Sequence, residues 1–271
     1  MCDTCGCNVT NANRHLVSAG GPFEFTEAGT ESVHVLQNLL HANDREAQHN
    51  REHFNRHCVL ALNLMSSPGA GKTALLEKTI DALRTEFSIA VIEGDLETEN
   101  DAERIRSKGV PAIQISTGSA CHLDAHMVHG ALHELPLAGL DIVFIENVGN
   151  LVCPASFDLG QHLNVALLSS PEGDDKPAKY PVMFRAADLM LITKSDLIEV
   201  LGDFDPSRAA TLLRELANPA PAFVLSSRSG CGLPQWLDWL REQVELRRLC
   251  DAGGEPGNPE VTQHADARAD G

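Results

Sequence analysis

Ser66-Ser67-Pro68-Gly69-Ala70-Gly71-Lys72-Thr73 lies between an apolar run at 59–65 and a helical pattern at 73–86. A strand, a glycine-rich turn, Lys-Thr and a helix, in that order, form the setting of a phosphate-binding loop. Gly69 and Gly71 let the backbone come close to a phosphate chain, and the N–H groups running into the helix N-terminus attract its negative charge. Gly69, Ala70, Gly71, Lys72, Thr73 and Ala74 are therefore the candidate phosphate residues, with Lys72 reaching the outer phosphates and the Thr73 hydroxyl directed at Mg2+. One position departs from GxxxxGK[ST]: the first glycine is replaced by Ser66.

Outward from this loop, apolar runs alternate with helical patterns. Strand-like runs fall at 59–65, 88–92, 112–116, 141–146, 165–168, 189–193 and 222–226, and helix-like runs at 73–86, 100–108, 122–134, 207–217 and 234–249. Such alternation predicts an α/β fold with a doubly wound, mostly parallel sheet. The chain then divides into a cysteine cluster at 1–7, a flexible linker at 8–30, a histidine-bearing helix at 31–57, the phosphate-loop domain at 58–250 and a disordered acidic tail at 251–271. In the helix, Val33, Leu36, Leu40 and Ala47 make a partial apolar stripe, while His49, His53 and His57 at i, i+4, i+8 share one face.

The base is read from two further segments. Thr193-Lys194-Ser195-Asp196 ends an apolar strand and resembles the [NT]KxD signature of GTPases. A carboxylate only accepts hydrogen bonds, so Asp196 suits the two adjacent donors of guanine and repels the ring acceptor of adenine. The stem of Lys194 can lie over the base. After the next strand, Ser226-Ser227-Arg228 resembles the S[AS][RK] loop, whose N–H groups meet the guanine carbonyl. Asp95 and Glu146 stand at strand ends near the loop and are assigned to Mg2+ or to the attacking water, with the choice between those roles left open.

Cysteine usage points to metal. The chain has 271 residues, a net charge of −17, eight cysteines and no secretory h-region, so cytoplasmic thiols or metal ligands are expected rather than disulfides. The acidic balance argues against a nucleic-acid partner, and no run approaches the length of a membrane span. Cys2, Cys5 and Cys7 sit within six residues of polar, glycine-rich sequence. With the N-terminal amine they could satisfy square-planar Ni(II) or tetrahedral Zn(II). Cys121-His122, opening a helix, and Cys153, beyond the loop after Glu146, are positioned to converge as a second site. His122, His126, His129 and His133 are spaced to share a helix face.

Together CDTCGC, HANDREAQHNREHF, NLMSSPGAGKT, EGDLETENDAERI, CHLDAHMV, IENVGNLVCP and TKSDL resemble the HypB family of hydrogenase nickel-incorporation GTPases over residues 1 to about 245. The resemblance implies a tight nickel site at Cys2, Cys5 and Cys7. It implies a weaker nickel or zinc site at Cys121, His122 and Cys153, coupled to the nucleotide. It also implies slow GTP hydrolysis to GDP, a HypA-like zinc/nickel chaperone as partner, nickel delivery to the hydrogenase large subunit, and a homodimer favoured by GTP. No long polyhistidine run is present, which sets aside bulk nickel storage. A urease-type nickel GTPase is the nearest alternative, weakened by the CxxCGC terminus. A metal-storage protein with a vestigial nucleotide site is weakened by intact Lys72, Thr73 and Asp196. The Pro-flanked segment 171–181 is expected to act as a switch or dimer-contact element.

Overall fold

The computed structural model describes residues 27–95, 100–118 and 120–252, with side chains described only between 40 and 249. The cysteine cluster, most of the expected linker and nearly all of the expected tail lie outside the described residues. A long helix α1 (Glu27–Arg56) comes first. Seven strands follow: β1 (Leu60–Ser66), β2 (Ile89–Asp95), β3 (Ala112–Ser116), β4 (Ile142–Glu146), β5 (Leu163–Ser169), β6 (Leu189–Thr193) and β7 (Ala222–Val224). Between and after them run α2 (Lys72–Leu83), α3 (Asn100–Arg106), α4 (Ala125–Leu132), α5 (Lys176–Lys179), α6 (Pro181–Arg185), α7 (Ile198–Leu201), α8 (Pro206–Glu215) and α9 (Leu233–Ala252).

The sheet order is β3-β2-β4-β1-β5-β6-β7. Every pairing is parallel, so the sheet expected to be mostly parallel is wholly so. Helices on both faces explain why the central strands read as apolar runs without alternation. Leu60, Leu62 and Leu64 of β1 face α2 and α9, packing with Leu75, Leu76, Ile80, Trp236 and Leu240. Ala61, Ala90, Ile92, Val143 and Ile145 face the other way, onto Phe54 of α1 and Val128 and Leu132 of α4. Met65, Ala166, Leu168, Met190 and Ile192 carry this second face under α6 and α8.

The C-terminal half of α1 is fastened by polar residues. Asn43, Ala47, Asn50 and Phe54 are buried at helical spacing. Asn43 Nδ2 donates to the Asp158 carbonyl at 2.8 Å, and Asn43 Oδ1 accepts from the Ala125 N–H at 2.9 Å. Arg51 pairs with Asp158 at 2.7 Å. The helix ends at Arg56, so His57 falls outside it and the expected stripe reduces to His49 and His53.

Candidate functional site

The loop leaves the C-terminal end of β1, where Leu64 pairs with Glu146 of β4 and Glu93 of β2 pairs with the same Glu146. Gly69 and Gly71 have φ of 74° and 97°, in the left-handed region that a side chain would strain. Lys72 is buried, its Nζ donating to Ser66 Oγ at 3.1 Å and standing 4.0 Å from Glu146 Oε1. Ser66 in place of the usual glycine thus gives the lysine an acceptor. Thr73 Oγ1 donates to Glu146 Oε1 at 2.9 Å.

The two glutamates make the electrostatic centre of this cavity, which has a volume of about 380 Å³ and Asp95, Asp101 and Arg104 on its wall. Glu93 is 2% exposed and Glu146 4%. Burial, and then the neighbouring Glu146 carboxylate, push the Glu93 carboxyl far above its usual range. Burial raises Glu146 as well, while Lys72 and the hydrogen bond from Glu93 act against that. The hydrogen bond between the two carboxyls raises the pKa of Glu93 and lowers that of Glu146. Glu93 Oε2 and Glu146 Oε2 are buried without a hydrogen-bond partner among the described residues. Orphaned buried carboxylate oxygens beside a threonine hydroxyl are a donor set that fits Mg2+.

Sequence reasoning singled out Asp95 and missed Glu93. In β2 the residues 89, 91, 93 and 95 share a face, so strand parity was the available signal. Asp95, at the strand end, is half-buried at the cavity wall.

A second cavity, of about 310 Å³, adjoins the first: Gly71 and Ala74 line both. Lys194, Asp196, Ser226, Ser227 and Arg228 complete it. Thr193 Oγ1 donates to the Ala70 carbonyl at 2.7 Å, tying the two loops together. Lys194 sits at φ 56°, and its carbonyl accepts from Ser170 Oγ at 2.8 Å. Ser226 Oγ donates to Asp196 Oδ1 at 2.6 Å. All the residues expected to read a base are brought to one concavity.

Cys121, His122 and Cys153 converge as well, with ligand atoms within 4.8 Å of one another. The two sulfurs are 3.1 Å apart, and Cys121 Sγ is 3.8 Å from His122 Nδ1. His122 stacks on Phe157 at 4.0 Å, and burial lowers its pKa, leaving a neutral imidazole with a lone pair. Two thiols and an imidazole suit nickel or zinc. One expectation is corrected: Cys121 and His122 do not open a helix. They lie in the turn before α4, whose N-cap is Asp124, accepting from Met127 N–H at 2.8 Å. His122 is therefore not on one face with the α4 histidines.

Asn147 joins these centres. Its Oδ1 accepts from the N–H of Leu123, next to His122, at 3.1 Å, and its Nδ2 donates to Asn63 Oδ1 at 3.2 Å. The same loop presses on the phosphate loop, where a Cβ at Gly149 would stand 2.7 Å from Pro68 Cα.

Comparison with known proteins agrees with this arrangement. The CobW/HypB/UreG nucleotide-binding domain matches residues 60–223. Hydrogenase maturation factor HypB of Azotobacter chroococcum mcd 1 is 51% identical, across 81% of this chain and 72% of that protein. Its counterpart in Escherichia coli K12 is 44% identical across 90% and 99%. The crystal structure of Helicobacter pylori HypB in complex with nickel superposes with a TM-score of 0.73 at 44% identity, covering 76% of this chain and 96% of that one. Relatives this similar over 72% and 99% of their length, together with the domain match, place the chain in the HypB family of hydrogenase maturation factors.

Proposed function

We propose that this protein is a GTP-hydrolysing nickel metallochaperone that inserts nickel during maturation of [NiFe]-hydrogenase. The observation that carries the reading is one loop, 146–153, which begins at a carboxylate of the phosphate cavity and ends at a thiol of the Cys121-His122-Cys153 cluster. Asp196 accepts the two guanine donors, held by Ser226, while Lys194 lies along the base. The N–H groups of 69–74 cradle the phosphates. Lys72 exchanges Ser66 Oγ for an outer phosphate oxygen, so its charge is met in both states. Thr73 and Glu146, with Glu93 behind them, would hold Mg2+, which supplies neutralisation of phosphate charge when bound. Asp95, at the less buried edge, orients the attacking water.

Nickel is the cargo. Cys2, Cys5 and Cys7 take it tightly, and Cys121, His122 and Cys153 take it more weakly, nickel or zinc, in step with the nucleotide. A HypA-like chaperone and the hydrogenase large subunit are the partners, GTP favours a homodimer, and the setting is the cytoplasm. No helix among the described residues is long and apolar enough to cross a membrane. A second reading extends the client to urease, because relatives from Helicobacter hepaticus and Helicobacter pylori, each 44% identical, are named hydrogenase/urease maturation factors. The test is hydrolysis of GTP and ATP with and without Ni2+, combined with nickel-dependent hydrogenase activity in a deletion strain. Equal turnover of ATP, or full hydrogenase activity without the gene at low nickel, would overturn the reading.

A further inference from the structure

Two pairs of histidines on different helices meet outside the site described above. His49 and His53 lie one turn apart on α1, with Nε2 atoms 2.8 Å apart. His129 of α4 and His133, at its C-cap, have Nε2 atoms 3.1 Å apart. The pairs face each other: the His49 and His129 ring centroids are 4.9 Å apart, and those of His53 and His129 5.7 Å. Ligand atoms of His49, His53 and His129 all fall within 4.8 Å.

The polar framework behind His129 fixes which nitrogen faces the cluster. Asn50 is fully buried, and its Nδ2 donates to the carbonyls of Ala125 at 2.8 Å and Leu159 at 3.1 Å. Both amide hydrogens are thereby used, so Asn50 Oδ1 can only accept, and the His129 Nδ1 at 3.0 Å from it must be the donor. The Glu46 carboxylate stands 3.5 Å from the same nitrogen. A neutral His129 with its proton on Nδ1 turns the Nε2 lone pair toward His133 and the α1 pair. An imidazole held through its other nitrogen by an amide or carboxylate is the arrangement that backs metal-bound histidines. Nitrogens bound to one tetrahedral ion at ~2.0–2.1 Å sit ~3.3 Å apart, close to the spacing within each pair.

We propose that His49, His53 and His129, with His133 adjoining through His129, form an all-imidazole site for a divalent late first-row ion, nickel(II) or zinc(II), separate from both cysteine sites. Imidazole suits these ions. Imidazole ligands with His49 and His133 exposed make a site that exchanges its ion readily, unlike one closed by thiolates.

The test is total Ni2+ and Zn2+ binding by the full-length chain, in competition with a chromophoric chelator. It compares the natural sequence with H53A/H129A and with H49A/H133A. Both variants are expected to lose one equivalent, or to bind it at least ~10-fold more weakly, while the thiolate-to-nickel absorption of the cysteine sites is unchanged. His49 and His133 are exposed, so H49A/H133A carries the test if the other variant fails to fold. The proposal is overturned by an unchanged equivalent in H49A/H133A, or by loss of the thiolate absorption together with the histidine equivalent.

Discussion

Among the described residues the Asp196 carboxylate accepts from Ser226 at the wall of the second cavity, so on the proposed function base choice rests on few atoms. Replacing Asp196 with Asn turns an acceptor into a mixed group. GTP binding is then expected to fall by up to ~10⁴-fold, with a gain for xanthosine triphosphate, whose extra carbonyl accepts from an amide. Competition against a fluorescent GDP analogue reads this directly, and unchanged GTP affinity would remove Asp196 from the base site. Glu93 supports a different kind of test. Its carboxyl holds a proton far more tightly folded than unfolded, where the ordinary value is 4.5. Such a group stabilises the fold below the unfolded value, and the contribution is lost as pH rises toward the folded one. The protein without nucleotide or Mg2+ is therefore expected to lose stability between about pH 6 and pH 9, with Glu93 contributing at most about 1.4 kcal/mol per pH unit. Glu93→Gln should flatten that dependence in denaturant melts. Identical slopes for the two proteins would show that Glu93 does not contribute to this dependence.

At the scale of elements, the strands were legible because both faces of a parallel sheet are covered, leaving uninterrupted apolar runs such as 189–193. The phosphate loop was legible because Gly69, Gly71, Lys72 and Thr73 answer one local geometric demand. Glu93 was less so: a charge in an otherwise apolar strand gains meaning only when register sets it opposite Glu146. The anchoring face of α1 was hidden because Asn43 and Asn50 replace apolar residues, and their partners lie 75 to 115 residues away. The histidine cluster joins α1 to α4, a pairing that periodicity within either helix cannot reveal. Loop packing gives the prediction at this scale. A Cβ at Gly149 would meet Pro68 Cα at 2.7 Å and Pro68 N at 2.8 Å, both backbone atoms of the phosphate loop. Gly149→Ala is expected to cost ~1–3 kcal/mol of stability by overpacking. It should weaken nucleotide binding by roughly 10-fold for each 1.4 kcal/mol that falls on the bound state. Calorimetric nucleotide titration with a parallel thermal melt checks both, and wild-type affinity in a stable variant would show that the two loops are not in firm contact.

For the molecule as a whole, the proposed function makes thermodynamic linkage the expected consequence of joining the two sites. Glu146 binds Thr73, Asn147 holds the backbone beside His122, Gly149 lies on Pro68, and Cys153 supplies a thiol. A shift of this loop between GTP and GDP moves one ligand of the metal cluster relative to the other two, and a metal's binding energy is sensitive to ligand position. The effect must be reciprocal: whatever factor GTP imposes on metal affinity, the metal imposes on GTP affinity. Couplings of this kind are ~1–3 kcal/mol, roughly 5- to 150-fold. The measurement uses the full chain with Cys2, Cys5 and Cys7 replaced by alanine, so that tight binding there does not mask the inner cluster. Ni2+ is titrated in the GDP state and with a non-hydrolysable GTP analogue. Cys121→Ala should abolish the inner equivalent together with any metal effect on hydrolysis. Asn147→Ser should keep both sites while bringing the two affinities together, because the Asn147 side chain ties this loop to the backbone beside His122. Equal nickel affinities in the two nucleotide states of the parent would sink the linkage. A linkage undiminished in the Asn147 variant would instead shift the connection to the contact between Gly149 and Pro68.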